Sequence, residues 1–80
     1  MTGKVLLFAS YADAIGSPEV RIDLPEGARV RDVLDRVRQM AAGKRVPEHP
    51  MVAVNERYAQ LDRTLRSTDE VAIIPPVAGG

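Results

Sequence analysis

The residues best placed to do chemistry are the last six, Pro75-Pro76-Val77-Ala78-Gly79-Gly80. An apolar run, Val71-Ala72-Ile73-Ile74, leads into the two prolines, and the chain stops on two glycines. Glycine has no Cβ, so Gly79 and Gly80 can thread a channel that any side chain would block. Pro75 and Pro76 fix φ and hold the tail extended. At ~3.1 Å per residue the tail carries its carboxylate roughly 15–18 Å beyond the domain. The chemistry of such a group is acyl transfer. A carboxylate is a poor acyl donor because its leaving group is oxide. A partner enzyme that adenylates it with ATP makes it reactive, and a sulfur nucleophile or an amine can then attack the carbonyl. The chain has no cysteine, so any sulfur it carried would sit on the terminal carbonyl as a thiocarboxylate.

Little else in the sequence competes for a chemical role. With no cysteine and a single histidine, His49, neither a thiolate nor a multi-histidine metal site can form. His49 reads as a solvated loop residue, and no metal and no bound cofactor are expected. Ser10, Ser17, Ser67 and Thr68 have no base beside them, so caps and turns account for them. Asp62, Asp69 and Glu70 fit a polar turn as well as a contact to a basic partner. Eleven basic and eleven acidic residues cancel, which argues against a dedicated nucleic-acid binder or a membrane-surface protein. The start of the chain has no signal-peptide layout and no stretch is long enough to span a bilayer. A cytoplasmic protein is the expectation.

The elements that must position the tail follow from periodicity. The run Val5-Leu6-Leu7-Phe8-Ala9 predicts a central strand over 4–9, covered on both faces. Ser10 and Asp13 have the spacing of a capping box, and Gly16 closes a single helical turn. Val20, Ile22 and Leu24 alternate with Arg21 and Asp23 as in a half-buried strand, and Pro25-Glu26-Gly27 is a turn. Val30, Val33, Leu34, Val37, Met40 and Ala41 form one face of a helix from 30 to about 41, with Asp32 and Arg36 paired on the other and Gly43 as C-cap. Residues 51–54 read as a strand, Asn55-Glu56-Arg57 as a turn with Asn55 left-handed, and 58–61 as a short return strand. A tight turn over 62–65 buries Leu61 and Leu65. Residues 71–74 are the last strand. With 4% aromatics and no tryptophan, the core must be aliphatic. One helix cannot cover both faces of such a sheet. The economical solution is an α+β fold of the β-grasp, ubiquitin-like type. In it a mixed sheet of four to five strands packs on one main helix, and the first and last strands lie parallel in the middle. Residues 1–74 form the domain and 75–80 the extended Gly-Gly tail.

These segments resemble the small subunit of molybdopterin synthase, the MoaD-like sulfur carriers of the ThiS/MoaD ubiquitin-like family. The likeness rests on Val5 to Ala9, Asp23-Leu24-Pro25-Glu26-Gly27-Ala28, Val52-Ala53-Val54-Asn55, Asp69 to Ile74, and above all the Pro-Pro-Val-Ala-Gly-Gly ending. The resemblance implies that Gly80, with Gly79 before it, is adenylated by a MoeB-like enzyme using ATP and sulfurated through a sulfurtransferase. Pro75, Pro76, Val77 and Ala78 would follow Gly80 into the active site of a MoaE-like large subunit, within a heterotetramer. There the sulfur of two carriers would build the dithiolene of molybdopterin. The catalytic pocket would belong to that subunit. The resemblance also implies an apolar docking patch, for which this sequence offers Phe8, Tyr58 and Ile74. Related carriers with the same ending serve thiamin, cysteine or tRNA thiolation, or act as protein modifiers. Arg29 stands where the family usually has threonine before the helix, and the Asn55-Glu56-Arg57 turn lacks the glycine often found there.

Overall fold

The computed structural model describes residues 1–42, 44 and 49–76. In chain order the elements are β1 (Thr2–Leu7), α1 (Ala9–Ile15), β2 (Glu19–Asp23), α2 (Val30–Met40), β3 (Met51–Val54), β4 (Arg57–Tyr58) and β5 (Glu70–Ile74). The strands form a five-stranded sheet ordered β2-β1-β5-β3-β4. β1 and β5 pair in parallel, from Lys4↔Glu70 to Leu7↔Ile73, and the other neighbours are antiparallel. This is the β-grasp arrangement that the periodicity predicts, with α2 crossing one face.

Because a single long helix covers a single face, β1 is not enclosed on both sides as expected. Val5 and Leu7 point into the core, while Lys4 and Leu6 are only half-buried on the opposite face. The inward residues of the sheet meet Val30, Val33, Leu34 and Val37 of α2. Met40 is 45% exposed, whereas Ala41 is buried. At 100° per residue Met40 falls about 70° off the centre of the stripe and Ala41 falls near it. The core is also less purely aliphatic than composition suggests, because Tyr11 is fully buried in it. Burial pushes the Tyr11 hydroxyl pKa up, and the nearby Arg38 charge partly opposes this.

α1 departs from its expected start. Phe8, not Ser10, is the N-cap, in extended conformation and without a side-chain cap. Ala9 adopts φ 49°, and the helix runs 7 residues, about two turns. Gly16 ends it in the left-handed conformation as expected, donating to the Ala12 carbonyl at 2.8 Å. At α2 the loss of a threonine cap is offset locally and from afar. Asp32 Oδ2 accepts the Arg29 N–H at 2.8 Å. The orphan N–H groups of Val30 and Arg31 donate to the carbonyls of Arg63 and Leu61 at 3.0 and 2.9 Å. The 59–65 segment therefore presents backbone to the helix end. For that reason Leu61 is 50% exposed rather than buried, while Leu65 is inside at 4%. The C-cap is Ala41; the expected cap Gly43 lies outside the described residues.

The β3–β4 hairpin turns on Asn55 and Glu56, with φ of 52° and 70°, the left-handed pair of a tight hairpin. Glu56 has no glycine-like freedom to adopt this angle, so Glu56→Gly is expected to raise unfolding stability by about 1 kcal/mol, read from urea titration. A polar clamp fixes the turn to β5. Asn55 Nδ2 donates to Asp69 Oδ1 at 2.8 Å. Asn55 Oδ1 accepts the Glu70 N–H at 2.9 Å, and Asp69 Oδ2 accepts the Arg66 N–H at 2.8 Å. The N–H of Arg66, then the amide of Asn55 and the charges of Arg63 and Arg66, hold the Asp69 carboxyl below the usual carboxylate range against an opposing effect of burial. A depressed folded-state pKa stabilises the fold above the unfolded value of about 3.9 and the gain is lost as pH falls through the folded value. Thermal midpoints should therefore drop on acidification below about pH 4. That drop should shrink in Asp69→Asn, which at neutral pH should itself cost about 2 kcal/mol. An unchanged acid profile in the variant would remove Asp69 from the account.

Candidate docking face and tail

Side chains alternate across a strand, so the face of the sheet opposite α2 is set by register. Leu6 stands beside Ala72, Ala72 beside Ala53, Ala53 beside Tyr58, and Met51 beside Ile74. Phe8 follows β1 directly and donates its N–H to the Ile73 carbonyl at 3.3 Å. Four strands thus meet in one apolar depression of about 360 Å³, lined by Leu6, Phe8, Ala53, Tyr58, Ala72 and Ile74, with Glu56 and Glu70 at its rim. Two alanines in the floor make the hollow, and large side chains make its walls. Phe8 is 46% exposed and Tyr58 72% exposed. Large apolar groups left open side by side in so small a domain mark an interaction surface.

The expected trio of Phe8, Tyr58 and Ile74 is therefore brought together, and Phe8 belongs to the open face rather than the core. Leu6, Ala53 and Ala72 went unnoticed in the sequence. Their parity with Phe8 and Ile74 was the available signal, and the assumption of a strand covered on both faces concealed it. Away from the tail the same face becomes charged: Lys4 Nζ lies 3.4 Å from Glu70 Oε2 and 3.7 Å from Glu19 Oε1. Asp69, considered for a basic partner, is instead spent in the hairpin clamp.

The tail leaves from this surface. β5 ends at Ile74, beside Phe8, and continues into half-buried Pro75 and exposed Pro76. Val77, Ala78, Gly79 and Gly80 lie outside the described residues. A larger hollow of about 580 Å³ lies between α2 and the β3–β4 hairpin, with His49, Arg31, Arg38 and Asp35 among its lining. His49 is exposed there, as expected. Among the described residues no group of three or more His, Cys, Asp or Glu could hold a metal ion, and no helix is long and apolar enough to cross a membrane.

Comparison with known proteins agrees with this geometry. The molybdopterin synthase sulfur carrier subunit of Arabidopsis thaliana is 35% identical over 78 residues, covering 96% of this chain and 81% of that protein. Small archaeal modifier protein 1 of Haloferax volcanii is 34% identical over 83 residues, covering 92% of this chain and 95% of that one. A crystal structure of the H. volcanii modifier superposes with a TM-score of 0.80 at 29% identity, covering 95% of this chain and 98% of the other. The model of the ThiS family matches residues 5–80, from the first strand through the tail. A match over nearly the full length, on a β-grasp domain whose last strand feeds the tail beside an open apolar face, places this chain in the ThiS family.

Proposed function

We propose that the chain is a sulfur carrier of the molybdopterin synthase type, with the Gly80 carboxylate as its working group. A partner enzyme condenses that carboxylate with ATP, releasing pyrophosphate and leaving an acyl-adenylate. A sulfur nucleophile supplied by a sulfurtransferase then displaces AMP and leaves a terminal thiocarboxylate. The carrier docks through the Phe8–Tyr58–Ile74 face and passes its tail into the pocket of a large synthase subunit. The acceptor chemistry resides there, and the setting is the cytoplasm. The observation that carries this reading is the placement of the apolar depression beside the exit of the tail. A surface that docks a partner at the root of a threaded arm fixes where its tip arrives. Relatives named as sulfur carrier subunits of molybdopterin synthase support it.

The test is the intact mass of the protein after incubation with ATP, a MoeB-like adenylating enzyme and a sulfur donor. The expected product is heavier by the exchange of one oxygen for sulfur, and it should generate molybdopterin when added to a large synthase subunit. No exchange with an enzyme pair that sulfurates another carrier would refute the reading. A second reading, protein modification, is favoured by the 34% identity to small archaeal modifier protein 1. In that case Gly80 would join lysine amines, and conjugate ladders carrying this chain would appear in extracts and vanish with deletion of Gly80.

A further inference from the structure

β2 is the long edge of the sheet. It has β1 as its one neighbour, and the opposite edge, β4, is only 2 residues. An edge strand carries a row of backbone groups without ladder partners, and the register fixes which ones they are. The antiparallel ladder to β1 uses alternate residues. Leu24 exchanges both bonds with Met1 at 2.7 Å, and Leu7 donates to the Pro18 carbonyl at 2.8 Å. Val20 and Ile22, opposite Val5 and Gly3, share that parity and bond inward. The N–H and C=O of Glu19, Arg21 and Asp23 therefore point out of the edge. Glu19 is closed off locally, because Ser17 Oγ accepts its N–H at 3.3 Å and donates to its carbonyl at 2.7 Å. The open groups are those of Arg21 and Asp23, both exposed.

The side chains of these two residues share the face opposite α2 and carry unlike charges. Arg21 stands beside Lys4, a like charge whose ammonium is already engaged by Glu19 and Glu70. Like charges directly opposite across a ladder repel. Asp23 stands beside Thr2, whose hydroxyl donates to Asp23 Oδ1 at 3.2 Å. Neither Arg21 nor Asp23 has an ion pair among the described residues. The edge thus offers two residues with open backbone groups, spaced by one, with a cation over the first and an anion over the second. Such a row is complementary to itself when reversed.

We propose that this edge is a self-association site, at which β2 pairs antiparallel with β2 of a second copy about a two-fold axis through Ile22. In that register Arg21 faces Asp23 of the second copy, and Asp23 faces its Arg21. Each facing pair exchanges both backbone bonds and carries opposite charges. The contact is isologous, as a two-fold requires. Neighbouring registers fail. Centring on Arg21 or on Asp23 sets like charge against like. Centring on Val20 sets Arg21 against Glu19, whose backbone is taken by Ser17. The pairing also ends itself: beyond Val20 and Leu24, Glu19 meets Pro25, which has no N–H. The axis stands perpendicular to the sheet, so two five-stranded sheets become one continuous sheet with both open faces on the same side. The two β5 strands run in opposite directions, and their C-terminal ends point apart. No β2 residue lines the apolar depression, so the dimer keeps both depressions available to partners.

A contact this narrow is weak and transient, so concentration is the variable that reads it. Sedimentation of the full chain from micromolar to about 1 mM should show a monomer–dimer equilibrium that added salt weakens. Over the same series the NMR amide signals of Arg21 and Asp23 should shift and gain protection from hydrogen exchange, while those of Glu19, Phe8 and Tyr58 stay put. Arg21→Glu and Asp23→Arg should each lower the dimerisation constant by about tenfold or more, because each leaves like charges facing. Mixed in equal amounts, the two variants should associate again, since every facing pair is then opposite in charge. Both positions are exposed, and thermal melts of each variant alone check its fold; a rescue on mixing cannot come from structural damage. A monomer throughout, a dimer indifferent to both variants, a mixture that does not associate, or shifts confined to Phe8 and Tyr58 would overturn the assignment. Protection of Arg21 and Asp23 only on addition of a large synthase subunit would also overturn it and give the edge to that partner.

Discussion

Deletion of Gly80 is expected to abolish the oxygen-to-sulfur exchange while leaving the thermal midpoint unchanged. Among the described residues every member of the buried core lies at or before Ile73, so the packing they make does not involve the terminal glycine. The deletion leaves a terminal carboxylate of the same chemistry and still on glycine, Gly79. What changes is reach: an extended tail shortens by about 3.1 Å. Acyl activation demands in-line geometry between the carboxylate and the α-phosphate of ATP, and misplacement by even about 1 Å can cost 100-fold in rate. A loss of at least that size is expected in pyrophosphate release with a saturating adenylating enzyme. Gly79→Val tests the other property of the tail, because it keeps the length and restores a β-branched side chain. If threading requires a bare backbone, it should fail as completely as the deletion. Full sulfuration of the deletion variant would show that the exact reach of the tail is not required, and full sulfuration of Gly79→Val would show that a bare backbone is not.

Phe8→Asp is expected to weaken docking to both the adenylating enzyme and the large synthase subunit by about 30-fold or more, the equivalent of about 2 kcal/mol at a buried aromatic anchor. The change places a charge in the middle of the apolar depression, where a partner surface would have to desolvate it. Folding should survive, for a reason specific to this site. Phe8 is 46% exposed and is the N-cap of α1, with φ −122° and ψ 148° and no side-chain cap. Aspartate is among the best residues at that position. Titration calorimetry against each partner, alongside thermal melts of the carrier alone, reads the two effects separately. The neighbouring pair Ile73 and Ile74 supplies the internal control. Ile73 is fully buried and Ile74 half-buried on the open face. Ile74→Asp should therefore behave as Phe8→Asp does, whereas truncation of Ile73 to alanine should cost about 2–5 kcal/mol of stability. Undiminished binding of both partners by Phe8→Asp would dismiss the docking face.

Much of this arrangement was legible in the chain because it depends on local rules. The stripe of α2, the alternation of β2, the left-handed Gly16 and Asn55, and the parallel pairing of the first and last strands follow from periodicity, turn chemistry and the need to cover one sheet with one helix. The Gly-Gly tail and the family it belongs to were likewise written in residue order. The failures share a cause. A continuous apolar run cannot say whether its second face is covered by another layer or kept open for a partner, and so the strand was expected to be covered on both faces, which hid Leu6. Burial of Tyr11, exposure of Leu61 and the capping of α2 by carbonyls some thirty residues away depend on which distant segment arrives beside them. The sequence by itself determined the elements, their order and the chemical nature of the terminus, because these are set by bonds and by neighbours along the chain. Only the tertiary structure decided that four strands pool their outward side chains into one hollow beside the end of β5. That depends on strand register and on the path of the chain in space, which no local pattern encodes.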